Sequence, residues 1–215
     1  MTATARPRAE RKAQTRARIL EAAWALVAEG RGLDSLGLRE VARAAGLAAP
    51  SLYNHFADMD SLGLALLDQA CFRLRRWMSE GRRQLIQAGT DEAIPVLVKR
   101  FLDYLERHEA EFRLLVQQRI GSHPAFRRRI HHELSLAVTE LGEDIQLVGG
   151  GATGVADAWL EAEATAAILL GFGIQSLDLD VASRRRREGR LVAQLGMVVL
   201  GARQQRAENQ INNIN

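Results

Sequence analysis

Ser51, Tyr53, Asn54 and His55 fall within five consecutive positions, and Arg39 stands shortly before them. These side chains donate and accept hydrogen bonds, and a guanidinium can pair with a base edge or a phosphate. The chemistry on offer is recognition of a polyanion, not bond-making. A second cluster, His131-His132-Glu133, comes closest to a catalytic or metal motif. Adjacent residues of a helix project about 100° apart, so the two histidines cannot easily share one metal, and the spacing is not H-E-x-x-H. Neither a Gly-rich phosphate loop nor a nucleophile motif occurs in the chain. No enzyme activity, cofactor or metal site is therefore expected.

The elements that must position these residues are helices. Apolar residues recur at three and four, not at two, and β-branched clusters are few, so the fold class is all-α. The spacing predicts a first helix over residues 9–29, ended by Gly30 and Gly32. Two short helices follow, over 38–45 and 49–55. Asp58 is placed to cap a long helix running towards Gly81. Further helices are expected over 90–108, 110–120, 122–147, 155–177 and 183–205, with Gly149-Gly150-Gly151 as a flexible break. This gives three segments: residues 1–57 as a basic arm with a small three-helix head, 58–207 as a larger helical body, and 208–215 as a disordered tail.

A helix-turn-helix needs a small residue where two helices meet, a Gly in the turn and apolar anchors for the second helix. Val41, Ala42, Ala45, Gly46, Leu47 and Leu52 fill those roles. The second helix then offers Ala49, Pro50, Ser51, Tyr53, Asn54 and His55 to a groove and its phosphates. Charge agrees. Up to Phe56 the chain has nine Arg/Lys against five Asp/Glu, whereas the rest carries 20 against 21. Arg11 and Lys12, in the basic run that opens the first helix, are candidates for phosphate or minor-groove contact.

The run Leu38-Arg39-Glu40-Val41-Ala42, then Ala45-Gly46-Leu47, then Ser51-Leu52-Tyr53-Asn54-His55-Phe56 resembles the signature of TetR-family transcriptional regulators. The resemblance implies that Arg39 reaches base edges, that Tyr53 and His55 touch phosphate, and that Pro50, Ser51 and Asn54 lie on the reading face. Gly37 and Ala48 depart from the pattern, because many members have Ser or Thr there and so gain a side-chain cap.

A single head reads few base pairs, so a homodimer on a near-palindromic operator in double-stranded DNA is expected. Two helical stripes suit that interface: Leu160, Ala164, Ala167, Ile168 and Gly171, and Leu191, Leu195, Val198, Val199 and Ala202. Trp77, Phe101, Tyr104, Phe112, Leu115, Phe126 and Phe172 could line an apolar cavity or simply fill a core. Phe112-Arg113-Leu114-Leu115, Arg119, Gly121-Ser122, Ala125-Phe126-Arg127, Leu177-Asp178 and the arginines at 184–187 resemble the TetR-type repressors of unsaturated fatty-acid synthesis and desaturase genes. That likeness implies a long-chain acyl-CoA as regulatory ligand, with Arg113, Arg119 and residues 127–129 near its phosphates. A drug-efflux repressor sensing lipophilic compounds is the alternative.

The lone Cys71 excludes an intrachain disulfide and fits a reducing compartment. Met1 to Leu20 holds six basic residues and no apolar block, and the most apolar run, over 164–174, is well short of the roughly 18 residues of a membrane span. Interleaved acids argue against membrane-surface binding, so a cytoplasmic protein without a membrane partner is expected.

Overall fold

A computed structural model describes the backbone of residues 8–148 and 155–212, and among these residues there are helices and turns but no strand. The head comprises α1 (Arg8–Ala28), α2 (Leu38–Ala44) and α3 (Ala49–Tyr53). The body comprises α4 (Met59–Arg107), α5 (Glu109–Ile120), α6 (Pro124–Val148), α7 (Val155–Ser176), α8 (Val181–Arg186) and α9 (Glu188–Asn212). The all-α expectation stands. The expected break at Gly149–Gly151 lies outside the described residues.

The C-terminal helices differ from the expectation, and the helix expected over 90–108 is part of α4. One helix was expected over 183–205, but α8 and α9 are separate, with Asp180 capping α8 by accepting from the Ser183 amide at 2.7 Å. Helix α9 also runs on to Asn212, so residues 208–212 are helical, not a disordered tail. The run before them, Ala202-Arg203-Gln204-Gln205-Arg206-Ala207-Glu208, consists of good helix formers that favour continuation.

Helix α4 starts as anticipated. Asp58 Oδ1 accepts from the Ser61 amide at 2.8 Å and Ser61 Oγ accepts from the Asp58 amide at 3.3 Å, a reciprocal capping box. Helical residues extend from Met59 to Arg107, with Pro95, which has no amide proton to donate, inside the span. A straight helix would nevertheless place residues 77 and 100 about 34 Å apart. Instead Trp77 Nε1 donates to the Arg100 carbonyl at 3.1 Å, and Arg100 donates to the Trp77 carbonyl at 2.7 Å and to Gln84 Oε1 at 2.9 Å. Helix α4 therefore doubles back between Gln84 and Arg100. Gly81 permits the approach, because a Cβ there would stand 2.6 Å from Arg100 Nε.

Two apolar clusters hold the molecule. The first joins Ile19, Ala23, Val27, Val41, Leu52 and Phe56 of the head to Leu62, Leu66 and Cys71 of α4, Leu114 and Leu115 of α5, and Phe126 and Ile130 of α6. This core crosses residue 57 without interruption. Trp24 Nε1 donates to Gln69 Oε1 at 2.7 Å across the same junction. The second cluster gathers Phe101, Leu102, Tyr104, Leu105, Phe112 and Leu169 with Leu191 and Leu195. Leu191 and Leu195 thus pack inside the chain's own core and do not belong to an intermolecular stripe. Among the described residues, the exposed large apolar side chains of α7 and α9 include Trp159, Leu160, Ile174, Met197 and Leu200.

Candidate nucleic-acid interface and ligand cavity

The turn between α2 and α3 is built by a glycine in the left-handed region. Gly46 has φ 63°, its amide donates to the Arg43 carbonyl at 3.0 Å, and the Leu47 amide donates to the Ala42 carbonyl at 2.8 Å. This paired geometry closes α2 and satisfies its last carbonyls, and a residue with Cβ would be strained at that φ. Val41, Ala42, Ala45, Leu52 and Phe56 are buried and fix the angle of α3. Neither Gly37 nor Ala48 supplies a side-chain cap, as their types foretold.

With Leu52 turned inward, α3 presents its other residues outward. Pro50, Tyr53 and Asn54 are exposed, while Ala49, Ser51 and His55 are half-buried. Tyr53 is half exposed although it is a large aromatic residue. Arg39, on the outer side of α2, and Arg11 and Lys12, on α1, are exposed as well. Lys12 and Arg16 lie close enough to His55 that, together with burial as the larger cause, they hold its imidazole below the ordinary value. Its Nδ1 is buried without a hydrogen-bond partner among the described residues. Arg16 also lies over the Phe56 ring, 4.9 Å from its centroid. The basic start of α1 and the end of α3 thus form one positive face with groups free to donate.

In the body, an apolar cavity of about 120 Å³ lies between α4, α5, α6 and α7. Trp77, Phe101 and Phe112 line it, with Leu97, Leu141 and Leu169 among the aliphatic walls. The aromatic rings brace one another: Phe101 meets Phe112 edge-on at 6.2 Å and Trp77 at 6.1 Å between centroids. Charge enters at Arg82, Arg100, Glu140 and Asp144. Asp144 lies 2.5 Å from Arg82 Nε. Burial raises the Asp144 carboxyl above the ordinary value, with Arg82 opposing the shift.

The other residues expected at a ligand are placed elsewhere. Leu115 and Phe126 belong to the core joining head and body, where the Phe126 ring packs against the Gly63 backbone; a Cβ at Gly63 would stand 2.6 Å from it. Phe172 packs against the second cluster, 6.5 Å from Phe101 between centroids. Tyr104 lines a separate groove along α4. Arg113 is tied to the Leu177 carbonyl at 2.6 Å and to Glu109 at 3.1 Å, and Arg119 borders a void of about 30 Å³ near Cys71. Arg127 closes the turn before α6 by donating to the carbonyls of Gly121 and Ser122, and Arg129 binds Asp68 and Glu133. The cavity's polar rim went unanticipated, because Arg82, Arg100, Glu140 and Asp144 read in sequence as ordinary solvated helix positions.

Among the described residues no group of three His, Cys, Asp or Glu could hold a metal, and no helix is long and apolar enough to cross a membrane. Residues 19–66 match the family described as bacterial regulatory proteins, tetR family. The whole fold is similar to that of the SmeT–triclosan complex, with 19% identity and a TM-score of 0.64, covering 87% of this chain and 91% of that one. A putative transcriptional regulator from Pseudomonas aeruginosa PAO1 is similar at 19% identity and TM-score 0.67, over 89% and 93% of the two chains. The flavonoid-responsive regulator FrrA is similar at 19% identity and TM-score 0.60, over 88% and 97%.

Proposed function

We propose that the chain is a TetR-family transcriptional regulator that binds a near-palindromic operator as a homodimer and represses transcription until a lipophilic ligand changes its operator affinity. Under this reading residues 8–57 are the DNA-binding head and 58–212 the sensing and dimerising body. Arg39 reads base edges, guanine being the natural bidentate partner of a guanidinium. Tyr53, His55, Arg11 and Lys12 meet phosphates, and Ala49, Pro50, Ser51 and Asn54 approach the groove. Lys12 and Arg16, beside the half-buried His55, suit an anionic oxygen. The exposed apolar residues of α7 and α9 are the surface offered to a second copy.

The ligand reading is carried by one observation: the apolar cavity is walled by the same helix that starts against the head. Leu74 and Trp77 of α4 face the cavity, while Leu62 and Leu66 of α4 pack on the head. A ligand that displaces the cavity wall therefore acts on an element shared with DNA binding. Long-chain acyl-CoA is the ligand proposed, from the resemblance of the body to acyl-CoA-responsive repressors. A cavity of about 120 Å³ is near the size of one that holds a single benzene ring, roughly 150 Å³. An acyl chain must therefore open it further, and that enlargement would be the signal.

Glu140 at the cavity, Asp144 being paired with Arg82, favours a second reading, in which a lipophilic cation is sensed and an efflux system is controlled. SmeT, with triclosan, and the flavonoid-responsive FrrA are similar proteins with small-molecule ligands of other kinds. The deciding experiment is binding of the full chain to its own upstream DNA, by mobility shift or anisotropy, with saturated and unsaturated acyl-CoAs and with lipophilic cations. A change in operator affinity that depends on acyl-chain shape supports the first reading. A response to cations alone replaces it with the second, and DNA binding that no ligand alters removes both.

A further inference from the structure

A groove of about 360 Å³ runs beside the reversal of α4, and four arginines, Arg73, Arg76, Arg100 and Arg107, line it around the rings of Trp77 and Tyr104. Trp77 and Arg100 line the apolar cavity as well, so the polar groove and the cavity adjoin. Two carboxylates, Glu80 and Asp103, also face the groove, and both are engaged. Glu80 pairs with Arg76 at 2.6 Å, and Asp103 is held by Arg185 of α8 at 2.5 Å. Arg107 has no hydrogen-bond or ion-pair partner among the described residues. The Arg76–Glu80 pair is exposed on both sides, so it is weak and opens readily.

Two buried groups in the same lining lack partners. Tyr104 is 1% exposed, and its hydroxyl makes no hydrogen bond among the described residues. His108 Nδ1 is likewise buried without a hydrogen bond, 3.5 Å from Glu111 Oε1. A buried hydroxyl left unpaired is costly and uncommon in a native fold. A ligand oxygen that accepts from it, among guanidinium forks, removes that cost.

We propose that this groove binds a phosphate-type anion, namely the phosphates of an amphipathic ligand whose apolar part enters the adjoining cavity. The proposal rests on the ligand-sensing reading above and names the headgroup site that reading leaves open. Arg107 and Arg76 supply charge, Arg100 binds at the boundary of the two spaces, and Tyr104 donates from the wall. Arg73 gives occupancy a route to the head. It pairs with Glu111 of α5 and lies 5.6 Å from the centroid of the Trp24 ring of α1. An anion in the groove competes with Glu111 for Arg73 and so alters a contact between body and head.

The test uses the full chain and its Arg76→Ala/Arg107→Ala double variant, both positions being exposed. Calorimetry with pyrophosphate, CoA, palmitoyl-CoA and palmitate reads the two spaces separately. The variant is expected to bind pyrophosphate, CoA and palmitoyl-CoA about tenfold or more weakly, with palmitate unchanged. Palmitoyl-CoA binding at least about tenfold tighter than CoA identifies the anion as the headgroup of an amphipath. Equal affinities for the two identify it as a free phosphate compound: the phosphate site then stands, and the amphipath assignment is overturned. If the wild type binds neither pyrophosphate nor CoA at about 1 mM, or the variant binds them as the wild type does, the groove proposal is overturned even where palmitoyl-CoA controls operator binding.

Discussion

Replacing Glu133 by Gln removes the negative charge at the centre of the clamp between α4 and α6. Glu133 is 3% exposed, and its oxygens accept from Arg75 Nε at 2.8 Å, from Arg75 Nη2 at 2.6 Å and from Arg129 Nη1 at 2.8 Å. Gln retains one acceptor and turns a donor toward a guanidinium, so about two of these bonds are lost. A hydrogen bond to a charged group contributes about 1.5–3 kcal/mol, but Arg75 and Arg129 are partly exposed and rehydrate, and Asp68 still holds Arg129. The expected loss is about 2 kcal/mol, or roughly 4–8 °C in Tm for a chain of this length.

The pH dependence supplies a second check. Burial alone would raise the Glu133 carboxyl, but Arg75 and Arg129 outweigh it and hold the carboxyl below the ordinary value. A folded-state pKa below the unfolded one gives stability that is present above pH ~4.5 and is lost as pH falls through the folded value. The gap between wild type and Glu133→Gln should therefore be full at pH 7 and shrink below about pH 4.5. Thermal melts followed by circular dichroism at fixed protein concentration measure both. A drop of less than about 1 °C at pH 7, or a gap that persists unchanged at the acid end, would refute the electrostatic account.

Gly173→Ala places a Cβ 2.4 Å from Phe112 Cζ, so the ring must retreat toward the cavity. Overpacking of about 1–3 kcal/mol should outweigh the helix gain of about 1 kcal/mol, and the affinity for a cavity ligand should fall; an unchanged affinity by titration would separate Phe112 from the ligand wall. Arg39→Ala should relax discrimination at one operator position by about 1–3 kcal/mol, whereas Lys12→Ala should weaken all sequences alike and lower the salt slope by about 1; swapped phenotypes in anisotropy assays would reverse these roles. Burial pushes the Cys71 thiol up to about 11, so iodoacetamide at pH 8 should label it only after denaturant is added. Rapid labelling of the native protein by mass spectrometry would show that this core opens.

The head was legible because its constraints are local. Gly46 is needed for one φ value, Leu52 and Phe56 need one face of a short helix, and Asp58 with Ser61 needs only three residues of chain. The cavity was only half legible. Trp77, Phe101 and Phe112 announce themselves by size, but which large side chains line space and which fill it depends on how α4 folds back between Gln84 and Arg100, and the breakers there, Gly89 and Pro95, do not say which partners that reversal brings together. Leu115 and Phe126 show the difficulty: they are chemically indistinguishable from cavity lining, yet they pack where body meets head. The arginines were the least legible. Arg113 and Arg129 are held by a carbonyl and a carboxylate distant in sequence and Arg127 by the carbonyls of the turn before α6, while Arg107, which no motif marks, has no partner among the described residues.

The reversal of α4 also sets a mechanical ratio. From the cap at Asp58 to the clamp at Trp77 is about 28 Å of unbroken helix at 1.5 Å per residue. Pinned by Trp77 and Arg100 at one end, this arm moves its head end by about 0.5 Å for each degree of tilt. Under the proposed homodimeric reading, a displacement too small to disturb the packing around Phe101 would be multiplied into a misfit between two heads that meet DNA half-sites about 34 Å apart. On that reading the stiffness of one helical arm, as much as the volume of the cavity, would set how small a ligand can be and still be felt at the operator.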